Sequence, residues 1–137
     1  MKLIIDTNII ISALIKPQLT RTLILNVNFE LMTPAFTLSE IDKHKEEICK
    51  KGKIDKEELD TLIHILFRYI EIINPITYSH YLEEAKNLIP DKEDIPFVAC
   101  ALVFNCPIWS DDKHFQQQKK IKIWKTEDII KIIEESD

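Results

Sequence analysis

Lys2-Leu3-Ile4-Ile5-Asp6-Thr7-Asn8-Ile9-Ile10-Ile11 decides the fold. Leu3-Ile4-Ile5 is a short, mostly β-branched run suited to a central strand buried on both faces. Asp6-Thr7-Asn8 offers helix-capping side chains, and the apolar run from Ile9 to Ile15 continues as a helix until Lys16-Pro17 stops it. The same alternation recurs along the chain. Phe29 to Met32, Ile70 to Ile73, Pro107 to Trp109 and Lys122 to Trp124 read as four further strands. Helices are expected over Arg21 to Val27, Phe36 to Lys51, Tyr81 to Leu88 and Asp94 to Phe104, and a last one is capped by Thr126. Gly52 is expected to end the long helix at its C′ position. Asp55-Lys56-Glu57-Glu58 reads as a capping box that opens a helix with Leu59, Leu62, Ile63 and Leu66 on one face. Alternating strands and helices imply one three-layer α/β/α domain over residues 1–137, with a five-stranded parallel sheet.

Composition narrows the function classes. A chain of 137 residues fits one domain, and 45% hydrophobic with 30% charged residues is the balance of a globular protein. Its apolar runs are too short to span a bilayer. Asp6 interrupts the N-terminus before a signal-peptide core can develop, so a cytoplasmic location is expected. Three cysteines (Cys49, Cys100, Cys106) without a Cys-x-x-Cys pair argue against a disulfide framework or a cysteine zinc site. Gly52 is the sole glycine, which excludes Walker A loops and dinucleotide-binding fingerprints. A formal net charge of −5 does not suggest a non-specific nucleic-acid binder.

Right-handed crossovers place every strand C-terminus on one sheet edge, where ligands of such folds bind. Four acidic positions converge there: Asp6 after the first strand, Glu40 in the helix after the second, Asp94 opening a later helix, and Asp111-Asp112 after the fourth strand. Carboxylates so gathered cannot all stay ionised without a cation. Hard oxygen ligands suit Mg²⁺ or Mn²⁺, and such a site activates water against a phosphodiester. Each acid also has an ordinary role. Asp6 and Asp94 suit helix caps, with Asp91 as an alternative cap, Glu40 stands at capping-box spacing from Thr37, and Asp111-Asp112 suits a solvated turn.

Ile4-Ile5-Asp6-Thr7-Asn8, Glu40, Asp94-Ile95-Pro96-Phe97-Val98-Ala99 and Trp109-Ser110-Asp111-Asp112-Lys113-His114-Phe115 together resemble the PIN-domain family over nearly the whole chain. The resemblance implies a metal-dependent ribonuclease with its acidic pocket at the strand C-termini. Asp6, Glu40, Asp94 and Asp112 match the acidic positions, and RNA cleaved there would carry 5′-phosphate and 3′-hydroxyl ends. It also implies a possible VapC-type toxin with an antitoxin partner, and possible pairing of two copies.

The chain departs from the family at His114, where many relatives carry a further Asp. An imidazole there can ligate a metal, contact a phosphate or simply sit solvated at a helix start. Ser110 stands where relatives often have Thr and could orient a water or a carboxylate. Asn8 could bond Asp6 or a phosphate, and turn or cap duty explains both residues equally well. Lys113, Lys119 and Lys120 adjoin the site loop and are the better candidates for an RNA path. A degenerate PIN domain that binds RNA or a protein is the competing reading, against which stands the retention of all four acids.

Overall fold

The computed structural model of the chain describes residues 1–16, 18–26 and 28–136. The helix stop assigned to Pro17 and the helix end assigned to Val27 lie outside the described residues. Five strands, β1 (Lys2–Ile5), β2 (Glu30–Pro34), β3 (Ile70–Ile73), β4 (Ile108–Trp109) and β5 (Ile123–Trp124), form one parallel sheet in the order β3-β2-β1-β4-β5. Leu3, Ile4 and Ile5 are fully buried, as a central strand requires. Alternation sorts them. Leu3 and Ile5 join Leu31, Ile70 and Trp109 on one face, while Ile4 joins Met32, Ile73 and Ile108 on the other.

The first face is covered by α1 (Thr7–Ile15), α2 (Leu19–Ile24), α4 (Lys45–Gly52), α5 (Lys56–Leu66) and α9 (Thr126–Ser136). The second is covered by α7 (Leu82–Leu88) and α8 (Ile95–Phe104), with the short α6 (Pro75–Tyr78) beside them. Each fully buried Leu or Ile contributes about 1.5–3 kcal/mol relative to exposure. In α8, Ile95 and every residue from Phe97 to Ala101 are buried, so it sits as a core helix and fixes the residue at its N-terminus, Asp94.

Several expected boundaries shift. The helix expected over Phe36 to Lys51 is two helices, α3 (Phe36–Lys43) and α4, divided at His44, whose φ of −105° and ψ of 10° leave the helical region. Lys53, not Gly52, takes the left-handed conformation after α4, at φ 55°. Gly52 is instead the last residue of α4, where a Cβ would make ordinary van der Waals contact with the Leu14 carbonyl oxygen at 3.4 Å and Ile15 Cα at 3.6 Å. The helix expected from Tyr81 is preceded by α6 and a 3-10 turn at Ser79–Tyr81. Thr126 is the first residue of α9, not a cap before it. The capping box is present as read: Asp55 accepts from the Glu58 N–H at 2.8 Å, and Glu58 accepts from the Asp55 N–H. All three cysteines are free, and burial pushes the Cys100 thiol up to about 12. No described helix is long and apolar enough to cross a membrane.

Candidate metal centre

The strand order reverses between β1 and β4, which pair directly through Ile4–Ile108 and Ile5–Trp109. Chains leaving two such strands diverge and open a crevice at their C-terminal ends. Asp6 leaves β1 there, its N–H bonded to the Trp109 carbonyl at 3.0 Å, and Ser110 leaves β4 beside it. The Ser110 hydroxyl donates to Asp6 Oδ2 at 2.8 Å and accepts from the Asp112 N–H at 3.0 Å. Asp6 also stands at the N-cap of α1, but its bond from the Asn8 N–H is 3.5 Å long, which makes it a weak cap. The contact Asn8 makes with Asp6 is through its backbone.

Asp94 occupies the N-cap position of α8 but makes no side-chain capping bond. It is 9% exposed, and its Oδ2 is buried without a hydrogen-bond partner. Leaving a carboxylate oxygen so placed is costly unless a cation or a proton satisfies it. Burial first, then the charges of Asp91, Asp112 and Asp6, push the Asp94 carboxyl up to about 7, against an opposing pull from His114. Asp6 is pushed up to about 6, again chiefly by burial, with Asp112 and Glu40 adding and the Ser110 and Asn8 bonds opposing. The carboxylates therefore act on one another electrostatically, as the topology requires.

Glu40 is held by hydroxyls. Thr7 Oγ1 donates to Glu40 Oε1 at 2.6 Å and lies 3.1 Å from Thr37 Oγ1, which is 2.6 Å from Thr33 Oγ1. Thr33 donates to the Ile5 carbonyl at 3.0 Å. Each hydroxyl has one hydrogen, so with Thr7 and Thr33 committed, Thr37 serves one neighbour at a time. Burial raises the Glu40 carboxyl, the Thr7 bond opposes that, and the nearby Glu93 raises it further. Sequence reading named Thr37 only as a possible cap and missed this ladder. Three threonines at positions 7, 33 and 37 carry no local signal of their convergence.

Asp112 is the N-cap of a 3-10 turn, Lys113–Gln117, and accepts from the His114 N–H at 2.9 Å. Phe115 of that turn is buried edge-on against Phe97 of α8, ring centroids 6.2 Å apart at 77°, which pins the turn beside Asp94. The buried Gln118 closes the loop, donating to the Phe115 and Ile121 carbonyls and accepting from the Ile121 N–H. Asp111 is exposed, as a solvated turn residue would be, but its carboxylate is not free. It accepts from the Thr126 N–H at 2.8 Å and the Thr126 hydroxyl at 2.7 Å, and so caps α9 from a distant loop. The adjacent acids thus do different work because their side chains point apart.

His114 is exposed, yet its Nδ1 lies 3.6 Å from Asp112 Oδ1 and 3.9 Å from both Asp91 Oδ2 and Asp94 Oδ2. Among the described residues, Asp91, Asp94 and His114 bring one ligand atom each within 4.8 Å of one another. Asp91 was legible only as an alternative cap. Lys113 and Lys119 are exposed, whereas Lys120 is paired with Glu84 Oε2 at 2.6 Å. The donor set fits a divalent cation: a buried oxygen without a partner, mutually repelling carboxylates and an imidazole.

Comparison with known proteins agrees with this architecture. The structure is similar to that of VapBC2 from Rickettsia felis bound to a DNA fragment from their promoter, with a TM-score of 0.71 and 20% identity, covering 91% of this chain and 98% of that one. It is also similar to VapBC-1 from nontypeable Haemophilus influenzae, with a TM-score of 0.63 and 20% identity, covering 93% and 99%. No curated protein matches the sequence. The family profile described as PIN domain matches residues 4–132, a span that takes in the end of β1, all of β2 to β5 and every acid of the crevice, and the chain belongs to the PIN domain family.

Proposed function

We propose that this protein is an endoribonuclease dependent on Mg²⁺ or Mn²⁺, and the toxin of a toxin–antitoxin pair. The observation that carries the reading is the buried, unpartnered Asp94 Oδ2 in a crevice shared with Asp6 and Asp112. Asp6, Glu40, Asp94 and Asp112 would hold the ion. When bound, it would supply an activated water and neutralise charge on a phosphodiester. The chain's own residues prepare the site. Ser110 fixes the rotamer of Asp6 and the backbone of Asp112, and Thr7 fixes Glu40. Lys113 and Lys119 give an exposed positive flank for RNA, whereas Lys120 is partly neutralised by Glu84.

Likeness to VapBC structures supports the toxin part of the reading, with an antitoxin protein as partner. Pairing of two copies is proposed on the family resemblance alone. Co-purification with the product of a neighbouring reading frame tests the first, and solution mass tests the second. The enzymatic reading is tested by incubating the purified chain with single-stranded RNA in Mg²⁺, Mn²⁺ or EDTA. Cleavage in metal alone, leaving 5′-phosphate and 3′-hydroxyl ends, is expected. Undiminished cleavage in EDTA refutes the metal mechanism, and binding without cleavage in any metal leaves the binding-module reading in its place.

A further inference from the structure

We propose that Asp91, Asp94 and His114 form a subsite for a nitrogen-accepting divalent cation of the zinc and cobalt class, so that His114 turns this pocket away from Mg²⁺. The proposal rests on Asp94 as a metal ligand, taken from the reading above, but not on RNA cleavage. A cavity of about 280 Å³ opens beside Asp94, lined by Ile89, Pro90, Asp91, Asp94, His114 and Gln117. Asp6, Glu40 and Asp112 do not line it.

The three groups are available. Asp94 Oδ2 is buried and unpartnered, and it faces His114 Nδ1 at 3.9 Å. Asp91 uses Oδ1 to accept from the Glu93 N–H at 3.0 Å, which leaves Oδ2 facing the same imidazole nitrogen at 3.9 Å. Both distances are too long for an N–H···O hydrogen bond. They are slightly wider than the roughly 3.4 Å between ligands around a four-coordinate ion with bonds of about 2.1 Å. All three ligand atoms lie within 4.8 Å of one another. Phe115 packs against Phe97 and so holds the turn bearing His114 onto α8, whose N-terminus bears Asp94.

Ligand chemistry then decides the ion. Carboxylates alone suit Mg²⁺, which demands near-octahedral oxygen and keeps its waters. Imidazole suits zinc and its neighbours, whose affinity for mixed nitrogen and oxygen sites exceeds that of Mg²⁺. With an Asp at position 114 the set would be all oxygen. With His114 it is two oxygens and a nitrogen.

The test uses the full chain stripped with EDTA and titrated calorimetrically with Zn²⁺ and separately with Mg²⁺, in wild type, His114→Asn, His114→Asp and Asp91→Asn. We expect Zn²⁺ to bind wild type at least about tenfold more tightly than Mg²⁺. His114→Asn should weaken Zn²⁺ by about tenfold or more while Mg²⁺ affinity holds within about twofold, and His114→Asp should erase the preference. Asp91→Asn should weaken Zn²⁺ with His114 intact. Co²⁺ should give a d–d absorption band that is altered in His114→Asn, and Zn²⁺ should shift the His114 ring nitrogens in the NMR spectrum. His114 is 57% exposed, so its variants are expected to fold, which metal-free melting checks. Zn²⁺ isotherms unchanged in His114→Asn and Asp91→Asn would overturn the proposal and leave the imidazole as a mere counter-ion to the carboxylates. Loss of RNA cleavage with the His114-dependent Zn²⁺ signature intact would sink the nuclease reading and support this one.

Discussion

The Ser110 hydroxyl donates to Asp6 Oδ2 at 2.8 Å across 104 positions of sequence, joining the C-terminal ends of β1 and β4. Ser110 Oγ also accepts the Asp112 N–H, so one side chain sets the positions of two acids. Ser110→Ala removes both bonds at a fully buried site and leaves Asp6 Oδ2 without its donor. We predict a loss of about 1–2 kcal/mol in urea unfolding, and Mn²⁺ affinity weakened by calorimetry. Ser110→Thr, which keeps the hydroxyl, should recover most of the metal affinity. Equal affinity in the wild type and Ser110→Ala would show that Asp6 needs no positioning.

The raised carboxyls predict an unusual pH dependence of stability. Asp6 at about 6 and Asp94 at about 7 both stand above their ordinary value of 3.8. In that window the folded state binds more protons than the unfolded state, so stability falls as pH rises. The contribution is fully present below about pH 4 and lost by about pH 8. In EDTA, unfolding free energy should therefore be higher at pH 5 than at pH 8, other titrations aside. Asp94→Asn should flatten this slope and stabilise the metal-free protein at pH 8 by roughly 1–3 kcal/mol. Divalent cation should stabilise wild type more at pH 8 than at pH 5, because it binds the ionised form. A metal-free slope of opposite sign that Asp94→Asn leaves unaltered would refute the burial argument.

Thr7→Val deletes the donor to Glu40 while keeping side-chain shape. It also strips Thr37 of a neighbour inside a buried ladder. We expect a cost of about 1–2 kcal/mol in stability and a higher Glu40 pKa, since the lost bond was opposing burial. Cleavage should slow by about tenfold if the carboxylate must be held ionised and oriented. Thr7→Ser, which restores the hydroxyl, should rescue the rate. A stability loss with an unchanged rate would make the ladder purely structural.

Which parts of this were legible depends on the range of the interaction that decides them. Leu3-Ile4-Ile5 and Ile70 to Ile73 declare themselves, because a buried strand needs a short apolar run and little else. Asp55 and Glu58 declare a cap for the same reason: both partners lie within one turn. The break at His44 does not show, because Ile41 and Ile48 are spaced by seven and remain in phase across it. Gly52 misleads for a different reason. It closes α4 as the last helical residue, and the left-handed conformation falls on Lys53, a position that no local signal marks. Asp6, Glu40, Asp94 and Asp112 could be named from strand-end positions and the family pattern. Asp91, Thr7 and Gln118 could not, since their partners are set only by how α8, the threonine ladder and the 3-10 turn pack.

Asp111 and Asp112 are consecutive carboxylates with separable duties, and substituting each should separate stability from chemistry. Asp111 accepts two bonds from Thr126, which also receives the Trp109 indole N–H at 3.1 Å, so it ties the N-terminus of α9 to the end of β4. Asp111→Asn keeps an acceptor oxygen but loses the charge that favours a helix N-terminus. It should cost about 0.5–1 kcal/mol of stability and leave Mn²⁺ binding unchanged. Asp111→Ala should cost about 1–2 kcal/mol, with the loss centred on α9 in amide exchange. Asp112 instead presents its charge to Asp6 and Asp94, raising both their carboxyls. Asp112→Asn keeps the oxygen that receives the His114 N–H, so the turn survives, but it removes one negative charge from the cluster. Metal-free stability should hold or rise, Mn²⁺ affinity should fall by about tenfold or more, and cleavage should fall with it. Calorimetry on the two Asn variants decides the matter: a larger loss of metal affinity at Asp111 would mean that the cap, and through it the placement of β4, governs the site rather than the Asp112 charge.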